Sequence, residues 1–343
     1  MNTQIVLLLG QDGVTSGAIY ALLALSIVLV FSVTRILLVP LGEFVTFGAM
    51  CMAGMQAGKP VMLAWLLLWS AIAGFIGALW AAYRDGERPS MYSMAMLAYS
   101  IVLFFVLRSV PSTSMSVATQ ALLTLALVVP LGPLMYDLCF KPIASAHPLV
   151  LLIVSIAVHS VLVGLSLYMF GAEGARTAAF SDAGLELGPV TLNAQTLWVI
   201  ALSLLLIVAL YTFFERTLHG QALRATAVNR LGAQLMGISP TLAGRASFAL
   251  ASMIGALAGI LISPITTLYF DSGFIISLKA FVGAIIGGLA SYPVAAVGAL
   301  VVGLVESFST FWASDYKEVI VFTLILPFLL WRSLTTRHSE EHA

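Results

Sequence analysis

Apolar stretches of about twenty residues follow one another from near the N-terminus almost to the end of this chain. A helix rises ~1.5 Å per residue, so each stretch is long enough to cross a hydrocarbon core of ~30 Å. Only 9% of the 343 residues are charged and 61% are hydrophobic, whereas soluble domains carry roughly a quarter charged residues. The chain therefore reads as an integral membrane protein. Runs of this length mean helices, not a barrel, because the bilayer leaves every backbone group to be satisfied internally.

The fold class this predicts is all-α: a polytopic helical membrane protein with about eleven membrane helices, some short or interrupted. They fall near 11–34, 43–58, 61–82, 91–109, 116–138, 148–170, 196–214, 241–264, 274–290, 294–312 and 316–333. Pro130, Pro264 and Pro327 lie inside or near helix ends, where a ring without an N–H kinks or ends a helix. Residues 1–334 form a single transmembrane domain, and 335–343 a short polar tail expected to be disordered. The N-terminus lacks the positive flank of a signal peptide, so the first apolar run is expected to be retained as a span.

Counting Lys and Arg on alternate sides orients the chain. One side collects Arg35, Arg84, Arg88, Lys141, Arg216, Arg224, Arg230, Arg245, Arg332 and Arg337; the other has Lys59, Arg108, Arg176, Lys279 and Lys317. The first side is expected to be cytoplasmic, with the N-terminus outside and the C-terminus inside. Acidic and basic residues balance at 15 each, so nothing in the charge argues for nucleic acid. Cys51 and Cys139 stand alone in separate apolar runs, and the five histidines are scattered. No disulfide, metal site or catalytic constellation is expected.

Between Glu215 and Arg245 the chain turns polar. Within this cytoplasmic stretch Leu223, Ala227, Leu231, Leu235 and Ile238 recur at helical spacing and predict one apolar face. Gly220, Gly232 and Gly237 divide it into short helices, and Ser239-Pro240 reads as the start of the next span. Two readings stay open on periodicity: a surface for another protein, or an amphipathic helix on lipid headgroups. The chain holds no G-x-x-x-x-G-K-[ST] phosphate loop, so it does not hydrolyse nucleotide by that route.

Two short, glycine-containing segments lie in opposite halves and share the pattern Leu-x-x-Phe-Val, at Leu41 to Val45 and Leu278 to Val282. Interrupted segments in matching halves point to a substrate path. The candidates are Gly42, Glu43, Phe44, Phe281, Gly287 and Gly288; close helix packing is the other reading of the glycines. If Ser291 to Pro293 turns the chain, Lys279 and Glu306 both sit ~20 Å from that turn on antiparallel helices. They are expected to face each other as an ion pair or to share a polar network, since unpaired charge there is costly. A structural clamp and a substrate contact are both readings of such a pair.

The segments Gly220-Gln-Ala-Leu-Arg-Ala-Thr-Ala and Ala233-Gln-Leu-Met-Gly-Ile-Ser resemble the coupling loop of the branched-chain amino-acid ABC transporter permeases. Gly17-Ala-Ile-Tyr-Ala-Leu-Leu-Ala-Leu, Gly42-Glu-Phe, Leu278-Lys-Ala-Phe-Val-Gly-Ala-Ile-Ile-Gly-Gly-Leu, Gly303-Leu-Val-Glu and Trp331-Arg332 agree in order. The resemblance implies a multi-pass subunit of the bacterial inner membrane that imports small hydrophobic, branched-chain-type amino acids. Residues 215–240 would be its coupling element, with Gly220, Arg224, Ala225, Arg230, Ala233, Gly237 and Ile238 meeting an ATPase. The implied partners are two cytoplasmic ATPase subunits, which would carry ATP and magnesium, a second homologous permease and a periplasmic binding protein. The chain itself would be no enzyme and bind no cofactor, and lipid would surround it. It departs from the pattern at Leu38-Val39-Pro40-Leu41, where the family commonly has Asn-Phe-Ala-His. Amide, urea or aromatic-acid cargo within the same class, and an ATP-independent channel or secondary transporter, are the alternatives.

Overall fold

The computed structural model describes residues 3–85, 90–109, 112–181, 184–187, 190–289 and 291–336. Its helices are α1 (Thr3–Thr34), α2 (Leu41–Gln56), α3 (Leu63–Asp85), α4 (Met91–Ser109), α5 (Val117–Val128), α6 (Leu131–Met135) and α7 (Pro148–Phe170). They continue as α8 (Ala194–Arg216), α9 (Leu218–Val228), α10 (Arg230–Leu235), α11 (Pro240–Ile262), α12 (Ser272–Ile286), α13 (Tyr292–Trp312), α14 (Lys317–Thr323) and α15 (Ile325–Thr336). Between α7 and α8 a small antiparallel hairpin, β1 (Gly184–Leu187) with β2 (Val190–Asn193), departs from the all-α expectation. Arg88, Asp182 and residues 337–343 of the expected tail fall outside the described residues, while Thr335 and Thr336 of that tail end α15.

Helical segments occupy each of the eleven expected positions. Eight of them are long and apolar enough to cross a membrane by length and composition. The other three are α2, α12 and the pair α14–α15, which is broken at Leu324. The first helix begins at Thr3 rather than near residue 11. Gln11 and Asp12 lie inside it, and the Thr15 hydroxyl donates to the Gln11 carbonyl at 2.8 Å as the helix continues. The span expected at 116–138 is broken at Pro130, then resumes as α6 and a π-helical turn, Tyr136–Phe140. That wide turn sends Asp137 to Arg245 on α11, 2.8 Å away, and Arg245 also lies over the Tyr92 ring.

The core is built around α1, α2, α11, α12 and α13. Along α1 and α13 small residues let the backbones touch: a Cβ on Gly303 would overlap the Gly17 backbone nitrogen. By contrast α3, α4, α7 and α8 carry outward Trp69, Trp80, Phe105, Ile153 and Leu204. Apolar surface of this extent is a liability in water and is what lipid accommodates. This is a multi-pass membrane protein.

The short helices α2 and α12 both start inside the bundle. Glu43, in the first turn of α2, meets His159, eleven residues and so ~17 Å along α7. Phe44 packs on Gly255, fifteen residues or ~22 Å along α11. The starts of α7 and α11 lie at the same end, since Arg230 of α10 donates to the Ala144 carbonyl just before α7. The chain after α11 turns back into the bundle over Ser263 to Asp271, and α12 begins against the first turn of α2. A Cβ on Gly273 would overlap the Gly42 carbonyl oxygen.

Gly273→Ala must therefore force the two helix starts apart, a change that costs about 1–3 kcal/mol. We expect it to lower the thermal denaturation midpoint of the purified protein. Gly54→Ala, also in α2, meets nothing within 4 Å and should leave the midpoint unchanged or raise it. Equal midpoints for the two variants would contradict the close approach.

Candidate functional site

Three features concentrate chemistry in the bundle. The first is the join of the two half-helices. Thr46 accepts the Gly273 N–H on its hydroxyl at 3.1 Å, which ties α12 to α2. Beside the join, His159 Nδ1 lies 2.7 Å from Glu43 Oε1, and its ring stacks on Phe274 with centroids 4.2 Å apart. The second Glu43 oxygen is buried and lacks a hydrogen-bond partner among the described residues. Phe44 and Phe47 face an apolar cavity of about 410 Å³ bounded also by α3, α6 and α7. A carboxyl group, an aromatic imidazole and two helix N-termini thus share one level of the membrane-crossing bundle, where ionisable groups are rare and functional.

The second feature is a charge cluster further along α12. Lys279 Nζ lies 2.5 Å from Glu306 Oε1, and the Tyr20 hydroxyl donates to Glu306 Oε2 at 2.5 Å. Glu318 of α14 comes within 3.9 Å of Lys279. Lys279 is buried and Glu306 nearly so. They border a cavity of about 340 Å³ that Thr15, Ser16 and Ser272 also line.

The third feature is the helical pair α9–α10 at the opposite end of α8 from the hairpin. Thr217 caps α9 by accepting the Gly220 N–H at 3.0 Å, and Asn229 caps α10 by accepting from Gly232 at 2.9 Å. The pair ends on Gly237, whose positive φ of 82° lets Ile238 N–H reach the Ala233 carbonyl. Gly220 abuts the Phe213 carbonyl, where a Cβ would have no room. Leu223 packs with Leu29, Val33, Phe214 and Ala243, and so fastens α9 to α1, α8 and α11.

The single apolar face expected for this stretch does not form. Asn229 leaves helical geometry, with φ −146° and ψ 98°, and so rotates α10 relative to α9. Leu223 and Ala233 turn inward, Ala227 and Ile238 are half-buried, and Leu231 and Leu235 point out with Val228 and Met236. Leu235 and Met236 are 81% and 82% exposed, so the outward surface carries large apolar side chains beside its exposed arginines. Arg224 is exposed but paired with Glu215, Arg230 is tied to Ala144, and Ala225 and Gly237 are exposed beside them.

Of the path candidates, Gly42, Glu43 and Phe44 lie at the join. Phe281 packs on the core further along α12, while Gly287 and Gly288 form the turn into α13, with Gly287 against Ala295. Gly42 lies against Gly273. The contact of His159 with Glu43 was not among the sequence-based expectations; a lone carboxylate and a lone imidazole at membrane depth were the available signal.

A family model described as branched-chain amino acid transport system, permease component, matches residues 90–329. The high-affinity branched-chain amino acid transport system permease protein LivH of Escherichia coli (strain K12) is 25% identical, with 96% of this chain and 95% of that protein aligned. LivH of Salmonella typhimurium (strain LT2) is 26% identical over the same shares. The corresponding permease protein BraD of Pseudomonas aeruginosa is 28% identical over 42% of this chain and 47% of its own length. No solved structure matches.

Breaking a buried ion pair by removing one partner is expected to cost about 3–5 kcal/mol, because the other charge is left alone. Lys279→Met should therefore lower the denaturation midpoint sharply, and adding Glu306→Gln should recover most of the loss. Additive losses in this double-mutant cycle would contradict mutual pairing.

Proposed function

The chain belongs to the branched-chain amino acid transport permease family, and from that premise we propose that it is a membrane-spanning subunit of an ATP-binding-cassette importer. Its cargo is a small hydrophobic amino acid delivered by a periplasmic binding protein. ATP and magnesium are bound by two cytoplasmic ATPase subunits, and a second, homologous permease completes the path. The assembly resides in the bacterial inner membrane. The similarity over 96% of the chain to a branched-chain amino acid permease carries this reading.

The orientation proposed has the α9–α10 end in the cytoplasm, with the N-terminus outside and the C-terminus inside. Its support is the gathering of basic residues there: Arg35 after α1, Arg216 at the end of α8, and Arg224 and Arg230 on the small helices. On this orientation α2, α12 and α14–α15 complete an eleven-segment membrane domain, of which α2 and α12 are half-spanning.

In the proposed mechanism the outward face of Val228, Leu231, Leu235 and Met236 docks on an ATPase groove. Burying each large apolar side chain contributes about 1.5–3 kcal/mol. Closure of the ATPase dimer would push α9, and Leu223 would pass that displacement to α1, α8 and α11. Because α11 and α2 share the contacts at Gly255 and Gly259, a shift of α11 reaches the half-helix join. Gly42, Glu43 and Phe44 would then line the gate through which cargo moves.

The test is reconstitution in proteoliposomes with the ATPase pair, the second permease and binding protein. Loaded binding protein should stimulate ATP hydrolysis and drive amino-acid uptake. The double variant Leu231→Asp with Leu235→Asp should still insert and fold, but lose ATPase association by at least about tenfold, the equivalent of 1.4 kcal/mol. Uptake that persists without any ATPase would contradict the reading and favour a channel or secondary transporter.

A further inference from the structure

We propose that the cavity bordered by Lys279 and Glu306 is a binding station for the free amino acid as a zwitterion, in which the cargo's own two charges replace the partners of this ion pair. The inference rests on the importer reading above and adds the chemistry of recognition within the membrane.

The cavity offers what such a ligand needs. Its volume of about 340 Å³ falls at the small end of ligand sites, which run from roughly 300 to 1,000 Å³. Lys279 and Lys317 line it together with Glu306, and Glu318 stands 3.9 Å from Lys279. Two positive side chains and one carboxylate therefore line one space, and a second carboxylate stands behind Lys279. Hydroxyls of Thr15, Ser16, Thr267 and Ser272 add neutral donors and acceptors, while Ile19 and Ile276 supply apolar wall for an aliphatic side chain. Ile265, Thr266 and Thr267 at its rim are exposed, so the cavity has a mouth.

Electrostatics selects the ligand class. An isolated charge inside the bundle is expensive, so Lys279 and Glu306 close on one another when the station is empty. A zwitterion opens the pair at no net cost in charge: its carboxylate accepts from the Lys279 ammonium, and its ammonium donates to the Glu306 carboxylate. Tyr20, whose hydroxyl donates to the other Glu306 oxygen, holds that carboxylate in place through the exchange. An amine without the carboxylate leaves Lys279 with only the more distant Glu318, 3.9 Å away, and an acid without the ammonium leaves Glu306 with only the neutral Tyr20 hydroxyl. Both are rejected by the same penalty that keeps the empty pair closed. Exchange between two sets of partners of similar strength also makes binding weak, which suits a station on a path.

Two measurements decide it. Thermal stability of the full transporter complex is followed with millimolar L-leucine, 3-methylbutylamine or 4-methylpentanoate as probe. Only leucine should raise the midpoint, and the rise should vanish in Ser16→Phe, which fills the cavity away from the ion pair. An equal shift with all three probes, or none with leucine, would overturn the station. In proteoliposomes, Ser16→Phe and the charge-free Lys279→Met/Glu306→Gln double variant should each lower leucine carried per ATP hydrolysed by at least about tenfold. A clamp that only holds helices together would leave that ratio unchanged in any variant that assembles, and an unchanged ratio in Ser16→Phe overturns the proposal. A wild-type complex that neither hydrolyses ATP nor takes up leucine would instead remove the importer reading, while the probe comparison on the purified complex still judges the site.

Discussion

Backbone that leaves helical geometry where helices pack must find other hydrogen-bond partners, and the rest of this structure depends on how two breaks meet that demand. The first break runs from Arg35 to Pro40. There the Ser155 hydroxyl donates to the Leu37 carbonyl at 2.7 Å and accepts from Val39 N–H at 3.0 Å, and Thr34 accepts from Ile36. The second runs from Ser263 to Asp271. Arg176 donates to the carbonyls of Pro264 and Ile265, Ala175 pairs with Leu268, and Ser272 accepts from Tyr269. With both breaks satisfied, α2 and α12 start inside the bundle and meet at Gly42 and Gly273.

This arrangement links three parts that lie far apart in sequence. The join places Glu43 and His159 among packed helices, the charge cluster lies one to two turns along α12, and α11 runs from the small helices α9 and α10 to the join. In the mechanism proposed, α11 is the mechanical element. It touches Leu223 through Ala243 near one end and receives Phe44 and Val45 on Gly255 and Gly259 further along. Packed interiors have discrete arrangements rather than a continuous range, so a displacement at α9 is transmitted as a change of packing.

Much of this was legible from residue order alone, and the parts that were not have physical causes. Long apolar runs marked the helices because crossing a bilayer fixes their length. Lys279 and Glu306 could be set opposite one another because antiparallel helices joined by a short turn have a fixed rise per residue. The Gly42–Gly273 contact was hidden because it depends on how far Ser263 to Asp271 re-enters the bundle, and irregular backbone carries no periodicity. His159 was hidden as the partner of Glu43 because 116 residues separate them. At α9–α10 the apolar spacing was present in the residue order, but one residue, Asn229, turned its second half outward. The imidazole beside Glu43 comes from α7.

The central claim is that the join of the half-helices is a gate. A single cysteine in place of Phe274, with Cys51 and Cys139 replaced by alanine, would report on it in the reconstituted complex through reaction with a membrane-impermeant thiol reagent. A gate at the join predicts modification from one side of the membrane in the nucleotide-free complex and from the other side when ATP is bound but not hydrolysed. A cysteine that stays unreactive from both sides in both states would contradict it.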